Sequence, residues 1–245
     1  MTRASFKHRL QRRYPQQVLW MQARLSSEGL LGLYLTIGVI ILTGAVWLFG
    51  GIAEDVFTGD PLVMIDQWLS EWLRLNATPR FTLSMQWVSA LADTPTVITL
   101  CLALTVLMVW QRLWYWLLAL VMAVGGGLGL NMLLKLAFGR ERPGWADVSL
   151  TDSGFPSGHT MMAAILYGLT AIYLFLLIKS WGTRFFIALV SSATVVLIAL
   201  SRLYLGAHYL SDVLAAMAAG MAWLALCLTA AEALRRYRAQ KSAIT

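Results

Sequence analysis

The chain has 245 residues, 59% of them hydrophobic and only 13% charged, with a mean hydropathy of +0.68. Soluble globular domains carry about 25% charged residues, so a soluble protein is excluded and an integral membrane protein with several spans is expected. The formal net charge of +7 comes mostly from cations at the two termini, which suit topology signals beside anionic lipid headgroups and not a nucleic-acid partner.

Residues 1–28 form a polar, basic arm with Arg3, Lys7, Arg9, Arg12, Arg13 and Arg24. The basic region is long, and the apolar run after it has spanning length without a small-residue cleavage site, so a cleavable signal peptide is not expected. At about 20 apolar residues per crossing, spans are expected over 29–50, 94–111, 113–137, 159–179, 185–204 and 208–231. No internal repeat is visible, so 29–232 reads as one six-span membrane domain, followed by a basic tail over 233–245. The fold class is therefore all-α and polytopic.

Between the first two spans, residues 51–93 are more polar. Leu62, Ile65, Trp68, Leu69, Trp72 and Leu73 fall on one helical face there, and Asp66, Gln67, Ser70, Glu71 and Arg74 on the other. That pattern predicts an amphipathic helix in the membrane interface, with a helix packed on the loops as the alternative. In the third span, Gly125, Gly126, Gly127 and Gly129 include a Gly-x-x-x-Gly pair, which predicts close helix packing. A phosphate-cradling loop does not fit, because no strand precedes the run. Cys101 and Cys227 lie in apolar runs and read as small buried residues, not as a disulfide or metal ligands.

Charge asymmetry sets an expected orientation. With both termini cytoplasmic, that side receives the basic arm, Arg112, Lys179, Arg184, Arg235, Arg236, Arg238 and Lys241, against only Glu28 and Glu232. The opposite side holds most acids, among them Glu54, Asp55, Asp60, Asp66, Glu71, Asp93, Glu141, Asp147 and Asp152. This predicts a multi-pass protein of the cell (inner) membrane.

Three polar islands then fall at the outer, periplasm-like ends of the third to sixth spans, where ionisable groups are functional by default. The first is Lys135 with Arg142-Pro143, although snorkelling to the interface is the plain account of Lys135 alone. Arg140 and Glu141 read as bystanders. The second is Pro156-Ser157-Gly158-His159, a tight turn that offers backbone N–H groups and a hydroxyl at a helix N-terminus, a ready anion site. His159 there can act as a general acid. The third is Ser201-Arg202, then His208 and Asp212. His208 and Asp212, four apart, are expected on one helical face, with the carboxylate orienting the imidazole for attack. A turn at Gly206 brings the Arg202 guanidinium, suited to phosphate, toward the same pocket.

This three-part pattern resembles the signature of the type 2 phosphatidic acid phosphatase superfamily. The motifs cover 135–212, and the six-span plan extends the likeness over most of the chain. The resemblance implies a helical phosphatase core and metal-independent phosphoryl transfer without a cofactor. It implies His208 as nucleophile, Asp212 as its partner and His159 as acid, with Lys135, Arg142, Ser157, Gly158 and Arg202 on the phosphate oxygens. Soluble vanadium haloperoxidases share the pocket pattern, but a small six-span protein fits a lipid phosphate substrate taken from the surrounding membrane lipids. Undecaprenyl pyrophosphate is the first expectation, with phosphatidylglycerophosphate or phosphatidic acid as alternatives. A phosphotransferase using the same phospho-histidine is a rival. So is a non-enzymatic lipid carrier, whose mark would be loss of His159, His208 or Asp212.

Overall fold

A computed structural model describes residues 33–59, 61–143, 145 and 153–244. They form eight helices: α1 (Leu33–Thr58), α2 (Pro61–Leu75), α3 (Pro79–Ala90), α4 (Thr94–Trp110), α5 (Trp114–Phe138), α6 (Gly158–Leu177), α7 (Trp181–Tyr204) and α8 (Leu210–Ile244). No strand occurs among the described residues, so they are all-α. The basic N-terminal arm and the acids Asp60, Asp147 and Asp152 lie outside the described residues.

Six segments are long and apolar enough to cross a membrane: Leu35–Thr58, Pro79–Trp110, Trp114–Phe138, Gly158–Leu177, Trp181–Tyr204 and Leu210–Ala239. Three differ most from the expected bounds. The first runs past Gly50 and Gly51 because Ile52 and Ala53 bury against Phe155 and Ala215, and that packing outweighs glycine's weak helix preference. The second gains α3, whose polar residues hide it in the sequence; Phe81 packs edge-on against Tyr204 at 4.8 Å, holding it on α7. The last helix continues through the expected tail, where Glu232 pairs with Arg235 and Arg236 at 2.7 and 2.6 Å.

Helix α6 is the central element. Met161, Ile165, Leu166, Leu169 and Tyr173 are buried among α4, α5 and α8. Lipid tails are as apolar as these side chains, so tight packing, not hydrophobicity, must hold the helices together. Small residues make it possible. A Cβ on Gly220 would lie 2.9 Å from Ala164 Cβ, and one on Gly168 would lie 2.8 Å from Leu224. In α5 close packing is present but shifted from the Gly-x-x-x-Gly pair. Gly125 and Gly129 face open space, whereas a Cβ on Gly126 would strike the Trp223 ring and one on Gly127 would lie 2.6 Å from Ile165.

Helix α2 corrects the expected faces. Leu62, Asp66, Leu69 and Leu73 form the row turned toward the protein, and Asp66 is only 1% exposed. Met64, Ile65, Trp68, Trp72 and Leu75 form an exposed apolar row. The helix packs on the site loops with one face and leaves an apolar face exposed with the other. The sequence pattern places Asp66 outward because its buried partner lies far away along the chain.

Candidate active site

Two chain reversals bring the islands together. After α5, Gly139 takes a left-handed conformation (φ 55°) and its N–H bonds the Lys135 carbonyl at 3.1 Å. The chain then turns Arg140 and Arg142 inward. After α7, Gly206 is also left-handed (φ 66°), and a Cβ there would lie 2.8 Å from the Trp145 ring. The N–H groups of Ala207 and His208 both bond the Arg202 carbonyl, at 3.1 and 3.3 Å.

His208 therefore lies in the turn ahead of α8, not on the helix with Asp212. It is 3% exposed. Its Nδ1 is 2.7 Å from the Gly154 carbonyl oxygen, which can only accept, so Nδ1 carries the proton and Nε2 the lone pair. Nε2 faces Arg142 Nη1 at 3.3 Å. Burial pushes the ring pKa down to about 4; Asp212 opposes this shift, and Arg142 and Arg202 add to it. The ring is neutral at neutral pH.

The Asp212 carboxylate, expected to orient the imidazole, meets it in a contact looser than a hydrogen bond. Nδ1 lies 3.7 Å from the Asp212 carboxylate, beyond hydrogen-bond length. The physical reason is competition. One Asp212 oxygen accepts from the Tyr209 N–H at 2.7 Å, the reach-back of a helix capping box, and the other accepts from Arg140 Nη1 at 2.7 Å.

Arg140 is thus no bystander. Its Nη2 bonds Asp66 at 2.8 Å, Nη1 also bonds Ser211 Oγ, and its guanidinium stacks on Tyr209 at 4.7 Å. Asp66 in turn accepts from the Ser211 N–H at 2.9 Å. Burial opposes the charge on Arg140, but the Asp212 and Asp66 carboxylates outweigh it and hold its pKa above the ordinary value.

The second island caps α6. Phe155–Pro156 is a cis peptide. The Ser157 hydroxyl, expected on the phosphate, is engaged as N-cap with Thr160, 3.0 Å from its Oγ1. Ser157 N–H bonds the Asp212 carbonyl at 3.2 Å, locking this turn to the third island. Gly158 fits closely against Asn131, whose Oδ1 would lie 3.2 Å from a Cβ at this position. His159 Nε2 lies 2.7 Å from Asp93. Arg202 bonds Ser89 at 2.7 Å, and its buried Nε has no acceptor among the described residues, a donor suited to an oxyanion. Lys135, Arg140, Arg142 and Ser153 line a cavity of about 810 Å³ together with the apolar Leu128, Met132 and Leu136. A lining that mixes polar and apolar side chains suits a lipid headgroup and its tail. Among the described residues no three His, Cys, Asp or Glu side chains cluster as metal ligands.

Sequence reasoning missed Gly154, Arg140, Asp66 and Asp93. A backbone carbonyl leaves no residue-type signal. Asp66 did leave one: an acid in register with Leu62, Leu69 and Leu73, on a row otherwise apolar.

A family model described as PAP2 superfamily matches residues 114–236. Phosphatidylglycerophosphatase B of Bacillus subtilis (strain 168) is 32% identical over 111 residues, 44% of this chain. The match spans only 55% of that relative's own length. The crystal structure of a transmembrane PAP2 type phosphatidylglycerolphosphate phosphatase from Bacillus subtilis is similar with a TM-score of 0.69 and 27% identity, covering 76% of this chain and 94% of that one. The crystal structure of Aquifex aeolicus LpxE shares the fold, with a TM-score of 0.54 and 20% identity over 67% of this chain and 94% of that one.

Proposed function

This chain belongs to the PAP2 superfamily, and from that premise we propose that it is an integral-membrane lipid phosphatase acting through a phospho-histidine on His208. The observation that carries this reading is the His208 ring: Nδ1–H is held by Gly154, so the Nε2 lone pair points toward Arg142, a natural phosphate ligand. Nε2 attacks phosphorus, and Arg142, Arg202 and Lys135, with the N–H groups at the start of α6, balance the charge on the phosphate oxygens. His159 protonates the departing oxygen. Asp212, through its nearby charge, favours the imidazole as it becomes positive. Water then attacks phosphorus and releases inorganic phosphate.

The names of two relatives favour a phosphatidylglycerophosphate-like glycerolipid. Undecaprenyl pyrophosphate is the second reading, favoured by the outward placement of the site that charge asymmetry predicts. A panel of both lipids and phosphatidic acid, with the purified protein in detergent and inorganic phosphate as readout, decides between them. Turnover is expected to survive EDTA, because fixed cations face the phosphate, and vanadate is expected to inhibit as a mimic of the transition state. Activity lost in EDTA and restored by Mg²⁺, or transfer to an added lipid acceptor without phosphate release, overturns the hydrolase as drawn.

The orientation has its own test. The Thr78 N–H bonds the Tyr204 hydroxyl at 2.8 Å, so the α2–α3 connection lies at the site end of α7, while Gly182 lies at the other end. In a Cys101→Ala/Cys227→Ala background, Asn76→Cys is expected to react with a membrane-impermeant thiol reagent on spheroplasts. Gly182→Cys is expected to react only after permeabilisation. The reverse pattern inverts the topology.

A further inference from the structure

The corner between α3 and α4 touches the site twice. Ser89, buried at the end of α3, accepts from Arg202 Nη1 at 2.7 Å, and Asp93 meets His159 Nε2 at 2.7 Å. Asp93 occupies the N-cap position of α4, where an aspartate ordinarily bonds its own helix; here it makes no such cap bond. Its carboxylate is turned to His159 instead. The corner is also rigid. Thr96 Oγ1 and Asp93 N–H both bond the Ala90 carbonyl, at 2.7 and 3.2 Å, and the Tyr167 hydroxyl, two turns along α6 from His159, bonds the Leu91 carbonyl at 2.8 Å. The same helix therefore carries His159 and fixes the carboxylate that meets it. Arg202 and Lys135 place positive charge in electrostatic range of this ring, and Asp93 is the carboxylate that faces it.

We propose that Asp93 is the positioning residue of the leaving-group acid, holding the Nε2–H of His159 and leaving Nδ1 to deliver the proton. The proposal rests on the phosphatase function above, with His159 as the acid. As Nε2 of His208 bonds phosphorus, the P–O ester bond breaks and its electron pair goes to the lipid oxygen. The Nδ1 proton of His159 moves to that oxygen, and the lipid leaves as a neutral alcohol. Neutral His159 then takes a proton from the water that attacks phosphorus, which restores the imidazolium and frees His208. The Asp93 carboxylate offsets the imidazolium charge and fixes which nitrogen faces the substrate.

A good leaving group needs little protonation, so the test compares substrates. For a lipid phosphate, whose leaving alkoxide is strongly basic, Asp93→Asn is expected to lower kcat/KM by roughly 10- to 100-fold, within the range set by general acid catalysis. With p-nitrophenyl phosphate, whose leaving phenolate is weakly basic, the loss is expected to shrink to about threefold or less, because that step draws little on an acid. Asp93→Glu is expected to recover part of the lipid activity. His159→Ala is expected to show the same selectivity, larger in size. An Asp93→Asn loss that is equal on both substrates, or absent, while His159→Ala keeps its selectivity, overturns the role of Asp93 alone. A His159→Ala loss without leaving-group dependence overturns the acid itself and this proposal with it. A defect of mere packing would lower both rates alike.

Discussion

Replacing His208 with alanine is expected to abolish phosphate release while the membrane fold persists. The ring is the only attacking group in the scheme, and losing a covalent nucleophile costs roughly six orders of magnitude where it has been measured in other hydrolases. Asp212→Asn is expected to lower turnover by about two to four orders, since the nearby charge that favours the imidazolium goes while the volume stays. The acidity of the site supplies a second check. The attacking form is neutral imidazole, and the pKa lies at about 4. Protonation therefore removes the nucleophile only as pH falls through about 4, and no loss assignable to His208 is expected between its ordinary value near 6.5 and that point. Near-normal turnover by a folded His208→Ala protein, with thermal melting in detergent as the fold control, sinks the assignment.

Arg140→Ala is expected to damage both stability and turnover. It leaves the Asp66 and Asp212 carboxylates, 1% and 0% exposed, near one another without their shared cation. Breaking a buried pair costs about 3–5 kcal/mol, a large share of the 5–15 kcal/mol that typically holds a domain folded. The melting temperature is expected to fall by several degrees, and phosphate release by about two orders or more, since Asp212 is freed to move from His208. Adding Asp66→Asn to Arg140→Ala is expected to restore part of the stability, by removing one unpaired charge, without restoring turnover. A single Arg140→Ala variant that melts and turns over like the parent refutes the bridge.

Much of this architecture was legible in the sequence because a membrane leaves few options. Apolar runs of spanning length must be helices, and cations inside them need a purpose, so the six spans and the three islands could be read directly. What escaped reading depended on contacts between distant segments. Helix α3 hid its place in the second span behind polar residues that find partners on α7. Asp66 looked like a solvent-facing acid because Arg140 lies 74 positions away. The His208–Asp212 spacing suggested a helical pair, and only the turn at Gly206, with the capping demand of Tyr209, shows why the ring turns to Gly154 instead.

The Asp66–Arg140–Asp212 bridge also constrains how such a chain can drift. A change at either outer carboxylate takes from the guanidinium the acceptor of one of its Nη groups, and a change at the guanidinium strands two buried acids at once. Single steps away from this trio are thus selected against, and a paired exchange of Asp66 and Arg140 for two apolar residues still strands the buried Asp212. Descendants that keep Asp212 are expected to keep Asp66 and Arg140 as well, so that the three positions are inherited as one character although they belong to separate helical neighbourhoods.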